Sequence, residues 1–138
     1  MKNQNELTKT IQELRKIAKD FADRAYSPYS QVKVGAAILS SKGKTYGGCN
    51  IENSSYGGTV CAEQVAILKA ISEGEKKINL VYIYTREGWP PCGICRQMMS
   101  EFASSGLKII IGDITGKESL LDFKKEILPL AFTPKHLK

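Results

Sequence analysis

Three cysteines and one glutamate are spaced in a way that predicts metal chemistry. Cys61 and Glu63 belong to a C-A-E motif, and Cys92 and Cys95 belong to a P-C-G-I-C motif later in the chain. A Zn²⁺ ion held by three protein ligands such as thiolates keeps its fourth tetrahedral position for water. A carboxylate that is not a ligand can move protons to and from that water. The pattern therefore predicts a catalytic zinc site with Glu63 as the general base.

Two other interpretations of these cysteines remain open. A closed structural zinc site requires a fourth protein ligand, and neither His136 in the C-terminal tail nor Cys49 beyond a polar loop is an obvious one. A redox C-x-x-C pair is typical of a thioredoxin-like sequence, in which Cys61 and Glu63 have no role. Both interpretations explain fewer of the residues than a catalytic site does.

Two of three predicted helices begin at these motifs. Apolar residues at helical spacing predict helices over about residues 6–25 and 60–72, and a third from about Gly93 to Gly106. Both cysteine motifs thus lie where a loop enters a helix. We expect the free amides and partial positive charge of each helix N-terminus to stabilise the thiolates.

Five predicted strands complete the fold. Alternating or continuous apolar runs place them at about residues 32–38, 45–51, 80–85, 107–111 and 119–122. A turn at 41–44 makes the first two an antiparallel hairpin, whereas strands joined through a helix are expected to be parallel. The pattern predicts an α/β fold, a three-layer α/β/α sandwich on a mixed five-stranded sheet. The 138 residues fit a single domain over 1–138.

Composition and charge limit the classes of partner. The formal net charge is +6, but the Lys and Arg residues are scattered and form no basic stripe interleaved with aromatic residues. No apolar run approaches the roughly 20 residues of a membrane helix, and the N-terminus lacks the apolar segment of a signal peptide. We therefore expect a cytoplasmic protein that binds neither nucleic acid nor membrane.

A polar segment between the second predicted strand and Cys61 has two interpretations. Asn50, Glu52 and Asn53 lie at the strand end, where polar side chains beside a metal site can bind the hydroxyl groups of a ligand. Asn and Ser are also common turn residues, and Gly57-Gly58 suits a bend. From the residues alone both interpretations stay open.

Taken together, the motifs resemble one family. A Cys or His, a non-ligand Glu two residues later and a distant P-C-x-x-C are the signature of zinc deaminases. The chain resembles the small cytidine deaminases with an all-cysteine zinc site, in order along nearly its whole length. The matching segments are YSPYS at 26–30, VGAA at 34–37, GCNIENSSY at 48–56, CAE at 61–63, KAISEG at 69–74, PCGICRQ at 91–97 and EILPLAF at 126–132.

This resemblance implies a reaction and the residues that carry it out. Cys61, Cys92 and Cys95 would bind one Zn²⁺ per subunit, and Glu63 would shuttle protons. The implied reaction is the hydrolytic deamination of cytidine, and of deoxycytidine, to the uridine form and ammonia in pyrimidine salvage.

The resemblance also implies how a nucleoside is held. Asn50 and Glu52 would bind the ribose hydroxyls, and backbone groups near Ala62 would recognise the edge of the base. Phe132 would reach the site of a neighbouring subunit in a homotetramer with shared active sites.

The chain departs from the family pattern near the predicted site. Gln64 stands where three-cysteine members usually carry Arg. Without that Arg, we expect Arg96 and the helix N-termini to offset the negative charge of a zinc ion bound by three thiolates. We also expect the zinc-bound water to be more basic than in a relative that carries Arg. Val32 stands where relatives typically carry Phe, which removes stacking area and is expected to admit a bulkier or altered substrate. Trp89 and Pro90 also alter the loop beside the base, and packing of Trp89 on the surface alone is an equally open interpretation.

Three functional classes remain at this point. A deaminase of free nucleosides is favoured over a deaminase of cytosine within RNA or DNA and over a metal-binding protein without catalysis. Blasticidin-type deaminases, which act on an altered cytosine nucleoside, also resemble the chain around the cysteines and lack the same Arg. Glu52 matches the ribose-binding pattern and favours an ordinary nucleoside.

Overall fold

The structure of the chain is a computed structural model that describes residues 3–137. Its helices are α1 (Gln4–Ala22), α2 (Ala62–Ser72) and α3 (Gly93–Phe102). Its strands are β1 (Gly35–Ser40), β2 (Thr45–Cys49), β3 (Ile78–Tyr84), β4 (Ala103–Gly112) and β5 (Glu118–Asp122). Short helical turns occur at Tyr56–Gly58, Phe123–Ile127 and Pro134–Leu137.

One mixed sheet connects the five strands in the order β2-β1-β3-β4-β5. β1 is antiparallel to both β2 and β3, and β5 is antiparallel to β4. β3 and β4 are parallel, because α3 connects them and returns the chain to the same end of the sheet. This arrangement confirms the predicted mixed five-stranded sheet.

Helices cover both faces of the sheet. Leu14 and Ala18 of α1 pack with Ala37 and Leu80 on one face. α2 and α3 cover the other face. Their buried side chains pack against the strand side chains that point to that face, in a cluster that includes Ala36, Ile38, Ala66, Ile67, Val81, Met99 and Ile109. Successive side chains of a strand point to opposite faces, so the continuous apolar runs of the inner strands serve two layers. The predicted three-layer sandwich is confirmed.

Several predicted element boundaries are wrong by three or more residues; the first helix, for example, ends at Ala22 and not near residue 25. The first strand begins at Gly35 and not near Val32, since Gln31 has a left-handed backbone with φ of 62° and the segment after it bonds to a side chain. The third helix ends at Phe102, and β4 begins at Ala103, where Ala103 pairs with Ile78 of β3. Pairing along the sheet overrides the helical pattern before Gly106. None of the helices within residues 3–137 has the length and apolar character needed to cross a membrane.

Candidate functional site

The three predicted zinc ligands meet where two helices begin. Cys61 is the N-terminal capping residue of α2, Cys92 is that of α3, and Cys95 lies in the first turn of α3. The Sγ atoms of Cys61 and Cys92 are 3.8 Å apart, and those of Cys92 and Cys95 are 3.3 Å apart. All three sulfur atoms lie within 4.8 Å of one another.

This spacing fits a zinc ion. With Zn–S bonds of about 2.3 Å, two ligands at tetrahedral angles are separated by about 3.8 Å. Among residues 3–137, the cluster is the only group of three or more His, Cys, Asp or Glu side chains with ligand atoms this close. Neither Cys49 nor His136 belongs to it, so the described part of the chain does not supply the fourth ligand of a closed site.

The cluster favours the ionised form of one of its sulfurs, that of Cys61. A hydrogen bond from the Cys95 thiol is the main cause that lowers the pKa of Cys61 to about 6. The same bond, together with burial, raises the pKa of Cys95. Of these two thiols, Cys61 therefore ionises before Cys95. Metal ligands must be deprotonated, so a thiol that ionises this readily suits metal capture.

Glu63 lies in the first turn of α2 and is buried, with 4% of its surface exposed. Burial is the main cause that raises the pKa of its carboxyl to about 7, and the charge of Cys61 adds to the rise. Hydrogen bonds from its own backbone amide and from Cys95 oppose it. A carboxyl with this pKa can accept and release a proton near neutrality.

A cavity of about 270 Å³ opens beside the cluster. Cys61, Ala62, Glu63 and Cys92 line one end of it. The structure brings three further predicted residues to the same cavity, namely Val32, Asn50 and Glu52. The segments that carry them are far apart in sequence, and the sheet edge and the start of α2 bring them together.

Asn50 holds the cavity wall in place. Its Nδ2 donates to the Val32 carbonyl at 2.8 Å, and its Oδ1 accepts from the Val34 N–H at 2.9 Å. The residue is 8% exposed. A carboxamide has two donors and about two acceptor lone pairs, so one N–H and one lone pair of Asn50 remain for a ligand.

Glu52 is fixed by the turn that precedes the wall. Its Oε1 accepts from the backbone N–H of Tyr29 at 3.0 Å and of Ser30 at 3.2 Å, and its Oε2 accepts a short bond from the Ser30 hydroxyl. The Ser30 bond is the main cause that lowers the pKa of Glu52, so the carboxylate stays charged. Three of about four acceptor positions are used, which leaves capacity for one ligand hydroxyl.

The remaining predicted residues lie outside the cavity lining. Arg96 donates from Nε to the Pro91 carbonyl at 2.9 Å and from Nη1 to the Ile127 carbonyl at 2.8 Å, so its guanidinium ties the start of α3 to the C-terminal region. Gln64 is half-buried on α2. Phe132 is 57% exposed and its ring stacks on His136 at a centroid distance of 5.4 Å.

Sequence reasoning missed Thr85. It lies directly after β3, is 4% exposed and accepts the Trp89 N–H on its Oγ1 at 2.7 Å. This bond fixes the loop that leads to Cys92, and both Thr85 and Trp89 line the cavity. The available signal was its position, because ligand sites of α/β sheets lie beyond the carboxyl ends of strands.

Comparison with known proteins decides the family. The model of the cytidine and deoxycytidylate deaminase zinc-binding region matches residues 8–111. The chain belongs to this deaminase family. The prediction of a zinc-dependent deaminase, and thus of an enzyme in the hydrolase class, is confirmed at the level of the family.

Two relatives match this chain over most of its length. Cytidine deaminase from Halalkalibacterium halodurans is 43% identical over 111 residues, which are 79% of this chain and 83% of that protein. Cytidine deaminase from Sporosarcina psychrophila is 36% identical over 129 residues, which are 92% of this chain and 94% of that protein.

Solved deaminase structures share the fold. The crystal structure of cytidine deaminase from Burkholderia pseudomallei has a TM-score of 0.83 and 34% sequence identity, and the match covers 88% of this chain and 98% of that one. Cytidine deaminase from Mycobacterium tuberculosis has a TM-score of 0.75 and 36% identity, with 88% and 95% covered.

Proposed function

We propose that this chain catalyses the hydrolytic deamination of cytidine, and of deoxycytidine, to the uridine form and ammonia. One observation carries the proposal: buried Glu63 and the sulfurs of Cys61 and Cys92 line one cavity together with charged Glu52. The first group suits proton transfer beside a metal, and Glu52 suits the hydroxyls of a sugar.

Cys61, Cys92 and Cys95 are the residues that would hold the metal. When bound there, Zn²⁺ would supply Lewis acidity that lowers the pKa of a water molecule and makes it a nucleophile near neutral pH. We propose one ion per subunit, bound by the three sulfurs of the cluster.

Glu63 moves the protons. Its carboxylate takes a proton from the attacking water and gives it to ring N3, which makes C4 more electrophilic. After the oxygen bonds to C4, the same carboxyl carries the next proton from that oxygen to the amino group, which leaves as ammonia. Its burial keeps bulk water from competing for these protons.

Glu52 and Asn50 position the sugar. The free acceptor capacity of Glu52 suits a ribose hydroxyl, and the second N–H of Asn50 donates to the same region. Ala62 lies at the start of α2, where unpaired backbone amides are available to the edge of the base.

The charge of the cavity favours a nucleoside over a nucleotide. Among the described residues, no Lys or Arg lines it, whereas two carboxylates do. A phosphate or a polynucleotide backbone would lack a partner and would be repelled by Glu52. A free nucleoside is therefore the substrate class, consistent with a role in pyrimidine salvage in the cytoplasm.

The exposed C-terminal tail supports a homotetramer with shared sites. Leu130 is fully exposed, and Phe132 and Leu137 are also exposed apolar residues of this tail. Contact with another copy would bury these side chains and bring Phe132 to a neighbouring site. Native mass spectrometry of the zinc-loaded protein is expected to give a tetramer, and a stable monomer in active preparations contradicts this part of the proposal.

A substrate panel tests the activity. Purified zinc-loaded protein is incubated with cytidine, deoxycytidine, cytidine 5′-monophosphate and a cytosine oligonucleotide, and the change in ultraviolet absorbance and the released ammonia are measured. We expect both nucleosides to be converted and the two phosphorylated substrates to react poorly. Conversion of the oligonucleotide in preference to cytidine, or of none of the four, overturns the proposal.

A further inference from the structure

A second cavity adjoins the proposed active site. It has a volume of about 290 Å³. Three residues, Val32, Thr85 and Trp89, line both this cavity and the one beside the sulfur cluster. These residues therefore form the partition between the two cavities.

The partition has one small and well-fixed part. Val32 is held by its carbonyl, which accepts from Asn50, and by its N–H, which donates to Ser30 Oγ at 3.1 Å. Thr85 is buried and bonded to the Trp89 amide. Two short side chains, Val32 and Thr85, thus stand beside one large, half-exposed Trp89, and a larger side chain at position 32 would narrow the partition.

The second cavity has an apolar floor and a charge-balanced rim. Ala22 and Tyr84 form its buried or half-buried surface, with Ile114 at one side. The exposed charged residues around it are two acids and two bases, Asp23, Glu87, Lys33 and Arg86. These two acids and two bases carry no net charge that would select an anion or a cation. Gln31 and Thr85 are the uncharged polar residues of the lining, and Ala22, Tyr84 and Ile114 offer apolar contact to an uncharged group.

The chemistry of the base determines which of its atoms faces this partition. Ring atom C4, which loses the amino group, has two ring neighbours, N3 and C5. Proton transfer to N3 requires that N3 face Glu63 on α2. C5 lies on the other side of C4 from N3, so a substituent on C5 points away from Glu63.

We propose that the second cavity is a subsite for an apolar substituent on C5 of the cytosine base, admitted through the partition because Val32 is small. This proposal rests on the proposed function and specifies the substrate class: cytosine nucleosides that carry an aliphatic or unsaturated group of two or more carbons at C5. Val32 is the residue that determines this specificity.

The test compares 5-propynylcytidine with cytidine. The readout is the ratio of kcat/KM for the two substrates, measured for the zinc-loaded native protein and for three variants. Val32→Phe fills the partition, and Ile114→Trp narrows the second cavity from its far side. Leu120→Trp is the matched control, because Leu120 is likewise a half-exposed apolar residue but lines neither cavity.

We expect the native protein to convert 5-propynylcytidine with kcat/KM within about tenfold of that for cytidine. Val32→Phe and Ile114→Trp should each lower the ratio by about tenfold or more, the discrimination that a methylene or two gives in an apolar pocket. Leu120→Trp should leave the ratio unchanged. If Val32→Phe does not fold, the ratio for Ile114→Trp is the test, because Ile114 is exposed and its substitution should not disturb the core.

Two results overturn the proposal while the proposed function stands. One is conversion of cytidine without detectable conversion of 5-propynylcytidine. The other is an unchanged ratio in the folded variants. Failure to convert cytidine itself is a different outcome, because it refutes the proposed function on which the subsite depends.

Discussion

The side-chain amide of Asn50 donates to the backbone carbonyl of Val32, 18 residues earlier in the chain, at 2.8 Å. With the bond from the Val34 N–H, the carboxamide replaces two contacts that a neighbouring strand would otherwise provide. It thereby shapes the cavity wall just before β1 begins. A residue predicted to bind ribose is also part of the fold.

Asn50→Ala should therefore damage both stability and substrate binding. Two partly buried backbone groups lose their partner, which costs up to about 1–3 kcal/mol for each group that stays unsatisfied. We expect a lower free energy of unfolding in urea and a higher KM for cytidine. Asn53→Ala is the control. Asn53 is exposed and its side chain only accepts from the Ser55 N–H, so this substitution should change the free energy of unfolding and the KM little. Equal effects of both substitutions would contradict the role of Asn50.

Gly48→Ala should displace the start of α2. A Cβ at Gly48 would lie 2.7 Å from the Ala62 carbonyl oxygen and 2.6 Å from the Ala66 nitrogen, so backbone must move. Overpacking of this kind costs about 1–3 kcal/mol. Because Cys61 is the N-terminal capping residue of α2, we expect reduced zinc content as well as a lower melting temperature. Gly57→Ala, whose Cβ would meet nothing within 4 Å, should change neither.

Glu118 provides a pH-dependent contribution to stability. It accepts from Arg15 Nε at 2.5 Å and Nη2 at 2.8 Å, and Tyr82 also donates to it. The Arg15 bonds are the main cause that lowers the pKa of Glu118. Its contribution is therefore full above the unfolded pKa of about 4.3 and is lost as the pH falls through the lower folded value.

Glu118→Gln should thus destabilise the chain by about 1 kcal/mol at pH 7, with a smaller difference from the native protein below pH of about 4. Urea unfolding at several pH values measures both. Asp20→Asn removes the exposed pair of Asp20 with Lys16 in α1 and should cost less, because solvent screens that pair. A gap between native and Glu118→Gln that widens toward low pH would refute the assignment.

Cys92→Ser should release the metal. The zinc content of the purified protein, measured by elemental analysis, is expected to fall from one per chain to a small fraction, because a serine hydroxyl is a much poorer zinc ligand than a thiolate. Cys49→Ser is the matched control, since Cys49 is buried in β2 and outside the sulfur cluster. Loss of zinc in the Cys49 variant alone would show that the cluster is assigned incorrectly.

Local patterns were enough to predict the fold and the cysteines that meet in the sulfur cluster. Cys61, Glu63 and the Cys92–Cys95 pair are identified by spacing, because helix starts bring short motifs to fixed positions. The apolar periodicity of residues 65–71 and the helix-ending Gly74 locate α2, since both signals lie within the segment itself. The roles of these residues in catalysis stay predictions until the variants are measured.

Long-range pairing explains what could not be predicted. The hydrogen bond from Asn50 to Val32 depends on how β1 and β2 align. Residues 32–34 bond to this side chain, and β1 begins only after them, at Gly35. The bond from Arg15 to Glu118 joins residues 103 positions apart and depends on the register of β5 beside β4. Neither contact leaves a periodic trace in the sequence.

Glu63→Gln tests the central claim most directly, with zinc content and cytidine turnover measured on the same sample. Gln has nearly the volume of Glu, and Glu63 is predicted not to bind the metal, so the variant should keep its zinc. Gln has no carboxyl group that could accept and release the proton. We expect kcat to fall by about 10²-fold to 10⁴-fold, the usual contribution of a positioned general acid or base, at unchanged zinc content. A Glu63→Gln protein that binds zinc and deaminates cytidine at the native rate would contradict the account.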